Sequence, residues 1–266
     1  MLTKLKGAVC AAALAAIGIG PAAAITDGEL DGNRHPYVGL MVAKDKAGNP
    51  LWRCSGTLLS PRVYLTAGHC TEPPAASAEI WFDADVQSGV PQNGYPFDGP
   101  FQGKTYLHPS YNPGAFFLFD LGVVVLDKAA KMSKYGALPA LDELDRMVNE
   151  RGQQDVTFTA VGYGLQLINP VFVEQEKIRM LATPHLLQIN TGFTGTGSLL
   201  LSNNHSTGGT CFGDSGGPNF IGNSNVVGGV TSFGINGNCA GTGGVYRVDR
   251  ADDLNWLYSA FGSLLR

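Results

Sequence analysis

Short apolar runs separated by turn-forming residues are the feature that most constrains the fold of this chain. The runs are rich in β-branched and other apolar residues, and glycine, proline, asparagine and aspartate lie between them. They cover residues 37–43, 58–67, 79–82, 122–126, 156–162, 226–232 and 244–248. Short strands joined by tight turns are typical of an antiparallel barrel or sandwich. The 36 glycines follow no repeating period, which excludes collagen and favours many turns. We therefore expect an all-β fold.

Composition excludes several other classes of protein. The chain has 266 residues, of which 44% are hydrophobic and 15% are charged, and its formal net charge is -4. This length supports a real hydrophobic core, and the low charge argues against disorder. A nucleic-acid-binding protein usually carries a basic balance, so we expect no nucleic-acid partner.

The C-terminal end departs from the β pattern. Apolar residues recur there at helical spacing, and Asp249 precedes them as a candidate N-cap. The apolar positions are Leu254, Leu257, Tyr258, Phe261 and Leu265. We expect a C-terminal helix that docks this face on the core.

The first 24 residues have the form of a secretory signal peptide. Lys4 and Lys6 precede an apolar run over residues 8–19, and small residues follow at 22–24. The alternative is an uncleaved membrane anchor, but a spanning helix needs about 20 apolar residues and this run is shorter. We expect cleavage after Ala24, a secreted domain over residues 25–266, and no membrane association after cleavage.

The cysteine count agrees with export. Cys10 leaves with the signal peptide, and Cys54, Cys70, Cys211 and Cys239 remain. An even number in an exported chain favours two disulfides, and chain spacing favours the pairs 54–70 and 211–239 among three possible pairings. No two of these cysteines lie at the short spacing of a zinc site, so we expect no metal there.

Three short motifs carry residues with catalytic chemistry. Ser215 lies in the segment Gly213–Pro218, where a tight glycine turn can expose backbone N–H groups. His69 ends an apolar strand, and Asp120 lies just before another. Each motif alone has a structural explanation: an ordinary glycine turn, a solvated histidine, or a strand-end cap.

The order of the three motifs is far more specific than any one of them. A serine hydroxyl needs a base to take its proton, and a carboxylate must orient that base. An α/β-hydrolase has its histidine after the serine, but no histidine follows Ser215 and the last one is His205. The subtilisin order starts with aspartate. Only the order His69, Asp120, Ser215 of the chymotrypsin type fits.

Further motifs at matching positions extend this pattern along the chain. They are Thr66–Cys70, His108–Tyr111, Asp120–Leu121, Gly162–Gly164, Gly213–Pro218, Ser232–Gly234 and Gly244–Tyr246. On these residues the chain resembles the chymotrypsin/trypsin-like serine peptidases of secreted, bacterial type, from Ile25 to about Leu257. The resemblance implies two antiparallel six-stranded β-barrels, over about 25–135 and 136–266, with a C-terminal α-helix and an active site between the barrels.

The resemblance also implies a role for each site residue. Ser215 is expected to be the nucleophile, His69 the general base, and Asp120 the residue that orients His69. The N–H groups of Gly213 and Ser215 are expected to form the oxyanion hole, and Ser232 to lie beside Asp120. The family pairing of the cysteines agrees with the pairs that spacing favours.

Substrate preference follows partly from the same resemblance. Trypsin-like members carry a carboxylate six residues before the nucleophile, where this chain has Gly209. The expected pocket residues are Gly209, Thr210, Ser232, Phe233, Gly234 and Gly244. A pocket with small walls and no buried charge predicts cleavage after apolar or aromatic residues rather than after Arg or Lys.

Activation is expected to follow directly from export. In the family a free N-terminal isoleucine pairs with the aspartate before the nucleophile, and those residues are Ile25 and Asp214 here. Cleavage after Ala24 would create that N-terminus without a further propeptide. Thr26 and Asp27 depart from the usual Val-Gly of the family.

Two other functions remain open from the sequence. One is a catalytically silent binding protein on the same fold, and the other is a secreted esterase using the same acyl chemistry. The peptidase interpretation implies a polypeptide substrate, protein inhibitors as possible partners, a monomer, and no cofactor. Asp83 and Asp85, two acids spaced by one residue, are weak evidence for a calcium loop, and a solvated loop is the better interpretation.

Overall fold

The structure is a computed structural model that describes residues 25–147, 155–168, 173–192 and 194–265. The signal peptide predicted over residues 1–24 lies outside the described residues. The strands are β1 Glu29–Leu30, β2 Val38–Lys44, β3 Pro50–Leu58, β4 Val63–Thr66, β5 Ser77–Trp81, β6 Phe101–Leu107, β7 Gly122–Leu126, β8 Phe158–Gly162, β9 Leu167–Ile168, β10 Val173–Glu174, β11 Met180–Ala182, β12 Leu186–Thr191, β13 Gly195–Asn203, β14 Pro218–Ile221, β15 Val227–Gly234 and β16 Gly241–Arg247. One α-helix, α1, covers Ala251–Phe261, and short 3₁₀ turns cover Gly68–Cys70, Gln87–Gly89, Pro113–Ala115 and Glu143–Met147.

The first half of the chain forms a closed barrel. Its six strands follow the order β2-β3-β4-β7-β6-β5, and every neighbouring pair is antiparallel. All residues of β2 and β4 are buried, because a small barrel fills its interior with side chains. The six-stranded first barrel predicted from the sequence is confirmed.

The second half forms a curled sheet with more strands than expected. Its order is β1-β11-β8-β14-β15-β16-β13-β12. Strand β12 ends this order and β11 lies second from the other end, but only residues 183–185 separate the two strands, so the sheet is strongly curled. Pro184 lies in this break and lacks the N–H that a ladder requires. The expected six strands become eight because one is interrupted there and because β1 joins the edge.

The C-terminal helix docks on the first barrel, as its apolar stripe predicts. Leu254, Leu257 and Phe261 are buried, and the Phe261 ring lies 5.4 Å from the Tyr106 ring of β6. The expected cap is wrong, because the N-cap is Arg250 and no side chain caps the helix. Asp249 instead accepts hydrogen bonds from Arg247 and from the Leu144 amide. No helix among the described residues is long and apolar enough to cross a membrane.

A buried arginine ties the two halves together. Arg179, just before β11, has no exposed side-chain surface and donates to the Asp31 carboxylate at 2.8 Å. Its other acceptors are the carbonyls of Gly32, Val38 and Phe82 and the hydroxyl of Tyr163. Val38 and Phe82 belong to the first barrel and Tyr163 follows β8. A buried charge is tolerated when it is paired and bonded in this way.

Removing this arginine is expected to destabilise the whole domain. Arg179→Met leaves Asp31 buried without its guanidinium partner, so we expect a loss of about 3–5 kcal/mol in the free energy of unfolding. The measurement is urea denaturation followed by tryptophan fluorescence. The double variant Asp31→Asn/Arg179→Met removes both charges and should recover part of the loss. Equal losses in the two variants would show that the loss of the guanidinium from the Asp31 carboxylate, which keeps His35 as a partner, is not the cause.

Candidate active site

Adjacent strands of the first barrel bring His69 and Asp120 together. Thr66 at the end of β4 pairs with Gly122 at the start of β7. His69 lies in the turn that follows β4, and Asp120 lies two residues before Gly122. The two residues, far apart in sequence, therefore meet at the same end of the barrel.

The Asp120 carboxylate fixes both the backbone and the ring of His69. Asp120 is fully buried, and its Oδ1 accepts the His69 backbone N–H at 2.8 Å. His69 Nδ1 lies 2.9 Å from Asp120 Oδ2. This contact places the ring proton on Nδ1 when the ring is neutral, which leaves Nε2 as a proton acceptor. The histidine side chain keeps 24% exposure toward solvent.

Ser232 supplies a second contact to the same carboxylate from the other half of the molecule. Its hydroxyl donates to Asp120 Oδ2 at 2.5 Å. Ser232 lies on β15 where the pairing with β16 shifts register between Thr231 and Phe233. Such a bulge re-aims a side chain, here toward Asp120. The buried carboxylate is thus bonded from both barrels.

Two hydrogen bonds from Ser55 of β3 hold the loop that carries Ser215. The Ser55 amide donates to the Ser215 carbonyl at 2.8 Å, and the Ser55 hydroxyl donates to the Gly213 carbonyl at 2.9 Å. Gly216 has φ of +77°, and a side chain there would collide with Thr66. The loop therefore requires glycine where it passes the first barrel.

Ser215 opens into the cleft close to these groups. Its side chain is partly exposed and lines the cavity beside β15. Within the described residues, no hydrogen bond joins the Ser215 hydroxyl to His69. Nucleophile–base contacts of this kind often tighten only when substrate is bound.

The amides expected to form an oxyanion hole are free to donate. Neither the Gly213 N–H nor the Ser215 N–H makes a hydrogen bond to any part of the chain that the structure describes. Gly213 has φ of +96°, a conformation that favours glycine. Unpaired backbone N–H groups are rare unless they face solvent or a ligand, so this pair is available to a substrate oxygen.

The Asp214 carboxylate is held by two backbone amides. Its carboxylate accepts the amides of Cys211 and Gly164 at 2.8 Å each. Burial raises the pKa of Asp214 to about 7, although these two bonds favour the charged form. The structure shows no bond between Asp214 and Ile25, which is buried against Ala160, Met180 and Ala182. Pairing of a free Ile25 amine with Asp214 stays a prediction, because Ile25 N is a peptide nitrogen in the uncleaved chain.

A cavity of about 240 Å³ lies beside Ser215. Its walls are Phe116, Thr210, Cys211, Phe212, Ser215, Thr231, Ser232, Phe233, Gly234 and Cys239. Four of the expected pocket residues belong to this set: Thr210, Ser232, Phe233 and Gly234. Gly209 and Gly244 do not.

Strand alternation explains why Gly244 is not a wall. A side chain on Gly244 would collide with the Phe233 ring, so that ring covers this glycine. The preceding residue, Gly243, faces the other way, and a Cβ there would lie 3.1 Å from the Thr210 hydroxyl. Gly209 is buried against Asn203 and is not among the residues that line the cavity. Gly243 is therefore the small residue that faces Thr210.

Two aromatic residues that line the cavity were not among the pocket residues predicted from the sequence. Phe116 packs edge-on against Phe233 with ring centroids 6.2 Å apart, and Phe212 is 54% exposed at the rim. Phe116 lies shortly before Asp120, and Phe212 directly precedes Gly213. Large exposed aromatic residues next to motif residues were the available signal.

Both expected disulfides are present. Cys54 is bonded to Cys70, and Cys211 to Cys239. The first bridge lies beside His69 and the second closes the loop around Ser215. A ring nitrogen of His69 lies within 4.8 Å of the sulfurs of Cys54 and Cys70, but sulfurs in a disulfide are not thiolate metal ligands.

The comparisons with known proteins agree with this geometry. The family model for trypsin matches residues 29–254, and the chain belongs to the trypsin family. Among solved structures, HL collagenase is similar with a TM-score of 0.68 and 19% identity, over 90% of this chain and 99% of that one. A mutant of human heparin-binding protein has a TM-score of 0.64 and 17% identity, over 90% and 97% of the two chains.

A third similar structure, GrC, has a TM-score of 0.64 and 17% identity, over 88% of this chain and 98% of that chain. At these identities the neighbours establish the chymotrypsin-like fold. A sequence search found no match among curated proteins.

The pKa of His69 is expected to depend on its contact with the Asp120 carboxylate. Burial by itself lowers the pKa of His69, but the charge and hydrogen bond of Asp120, with a contribution from Glu72, raise it above its ordinary value. The neutral ring that can accept a proton therefore forms only at higher pH than for a free histidine. NMR titration of the His69 ring should give a midpoint above about 6.5. In Asp120→Asn the midpoint should fall, and an unchanged midpoint would contradict this assignment.

Proposed function

We propose that this protein is a secreted serine endopeptidase that cleaves polypeptides through an acyl-enzyme. The observation that carries the proposal is the hydrogen-bonded series Ser232–Asp120–His69 beside Ser215. Two backbone N–H groups on the Ser215 loop make no hydrogen bond within the described residues and add to it. Family membership supports the same chemistry. The two disulfides agree with export, because such bonds persist in oxidising compartments.

The proposed reaction begins with attack of the Ser215 hydroxyl on a peptide carbonyl. His69 Nε2 takes the hydroxyl proton, and Asp120 stabilises the imidazolium that forms. The amides of Gly213 and Ser215 bind the oxyanion of the tetrahedral intermediate. His69 then protonates the leaving amine, the C–N bond breaks, and water hydrolyses the acyl-enzyme by the same steps in reverse.

The cavity supports a preference for apolar or aromatic residues before the scissile bond. Phe116, Phe212 and Phe233 give it aromatic walls, and no carboxylate side chain is among its lining residues. An Arg or Lys side chain would enter such a cavity without a counter-charge, at the cost of desolvation. An aromatic side chain would bury apolar area against the rings.

The test combines active-site labelling with substrate profiling. A fluorophosphonate should label the wild-type protein at one site, and the Ser215→Ala variant should not be labelled. Asp120→Asn should lower kcat by on the order of 10⁴-fold, because the histidine loses its orienting partner. A peptide library should be cleaved after aromatic or large apolar residues.

Other outcomes select other functions. Labelling with hydrolysis of esters but of no peptide would favour a secreted esterase. An unlabelled, folded protein would favour a silent binding protein. Cleavage mainly after Arg or Lys would overturn the proposed preference while leaving the mechanism intact.

Activation by signal cleavage is a further part of the proposal. Asp214 is fully buried, and among the described residues its carboxylate accepts hydrogen bonds from backbone amides alone. Ile25 is also fully buried, and the hydroxyl of the next residue, Thr26, donates to the Gly209 carbonyl, five residues before Asp214. Release of the Ile25 amine would supply a cation for this carboxylate and order the oxyanion loop. Active protein should therefore begin at Ile25 by N-terminal sequencing and lose activity in Asp214→Asn. An active protein that begins at another residue would contradict it.

A further inference from the structure

A cation of the first barrel lies against the turn that carries the expected oxyanion hole. Arg53 is on β3, two residues before Ser55, so the two side chains lie on the same face of the strand. The Ser55 hydroxyl donates to the Gly213 carbonyl. A methyl group on Gly213 would lie 3.0 Å from Arg53 Nη2 and 3.1 Å from Arg53 Nε. The guanidinium therefore packs on the residue whose N–H is one of the two expected oxyanion donors.

Gly213 is confined between this guanidinium and the second half of the molecule. The same methyl position lies 3.1 Å from the Cα atom of Gly164, shortly after β8. No side chain fits between the two surfaces, and the positive φ of Gly213 also favours glycine. Arg53 thus helps to hold the Gly213 N–H in one orientation.

The positive charge of Arg53 is not paired with an anion in the part of the chain that the structure describes. Among those residues the Arg53 side chain makes no hydrogen bond and no ion pair, and it is only partly exposed. The neighbouring cation Lys177, by contrast, donates to Gln87 at 2.8 Å. Burial, and then the charge of Arg53, lower the pKa of Lys177. A half-buried charge acts on its surroundings more strongly than one in open water, because solvent and salt screen it less.

The charge of Arg53 also reaches Asp214, the residue between the two expected donors. Burial raises the pKa of Asp214 to about 7, while its two amide bonds and the charge of Arg53 act to lower it. An ionised Asp214 opposes a second negative charge on a substrate oxygen held by the amides of Gly213 and Ser215, because like charges repel. A cation packed on Gly213 offsets that repulsion.

We propose that Arg53 is a positioning residue of the oxyanion hole, which holds the Gly213 turn and uses its positive charge to favour the oxyanion of the tetrahedral intermediate. This inference rests on the proposed peptidase function and deepens it. Arg53 acts through the N–H of Gly213 and needs no contact with the substrate. Stabilisation that appears only as negative charge develops raises kcat without tightening the binding of substrate.

The test is a charge series at position 53, assayed on a peptide amide with Phe before the scissile bond. Arg53→Gln should lower kcat by about tenfold at unchanged KM, which is less than the loss of a whole oxyanion donor. Arg53→Lys restores the charge and should keep most of kcat, and Arg53→Glu should lose more than Arg53→Gln. As a matched control, Lys177→Gln removes the neighbouring cation bonded to Gln87 and should leave kcat unchanged.

A pair of inhibitors gives a second readout, which a merely structural role would not move. In a peptide trifluoromethyl ketone ending in Phe, Ser215 Oγ bonds to the ketone carbon, His69 takes the hydroxyl proton, and the ketone oxygen becomes an oxyanion. The matching peptide alcohol forms no oxyanion. Affinity for the ketone should fall in step with kcat across the series. Affinity for the alcohol should stay constant, which also shows that each variant keeps a folded cleft.

Several results would overturn the role of Arg53. Equal losses of kcat in Arg53→Lys and Arg53→Gln would show that packing matters and charge does not. A rise in KM at constant kcat would place the side chain on the substrate instead. A wild type that cleaves the peptide, with kcat unchanged in the whole series, would leave the peptidase function standing without Arg53. A wild type that neither cleaves the peptide nor is labelled by a fluorophosphonate would overturn both proposals.

Discussion

The hydrogen bonds from β3 to the Ser215 loop are the interaction on which the rest of the site depends. The buried Ser55 contributes its amide to the Ser215 carbonyl and its hydroxyl to the Gly213 carbonyl, while the Tyr163 amide donates to the same hydroxyl. One residue of the first barrel therefore fixes two carbonyls of the second. With those carbonyls held, the N–H groups of Gly213 and Ser215 have no acceptor among the described residues, as an oxyanion hole requires.

The Asp120 carboxylate also links the two halves, but here the second half donates a hydrogen bond to the first. It is completely buried, a state that costs several kcal/mol unless donors surround the charge. The first barrel supplies the backbone and ring of His69, and the second supplies Ser232. Separation of the barrels would leave the carboxylate short of a donor, so the orientation of His69 and the packing of the two halves are linked.

Features that depend on local pattern and motif order were predictable from the sequence. Features that depend on which way a side chain points in the folded protein were not. Strand periodicity predicted the β fold, and spacing predicted both disulfides. The same pattern did not indicate that Pro184 would interrupt a strand, or that Gly243 rather than Gly244 would face Thr210, because a one-residue shift reverses the face.

The C-terminal helix is part of the support for this site as well as of the core. Trp256 of α1 packs edge-on against His108, with ring centroids 4.9 Å apart, and His108 stacks on Phe119 at 5.2 Å. Phe119 has φ of +54°, a strained conformation for a phenylalanine, and it directly precedes Asp120. The His108 amide also donates to the Leu121 carbonyl at 3.0 Å, on the other side of Asp120. Burial lowers the pKa of His108, so the ring stays neutral and suited to stacking. Through His108, the helix thus supports both chain neighbours of Asp120, and these contacts hold the strained backbone of Phe119 in place.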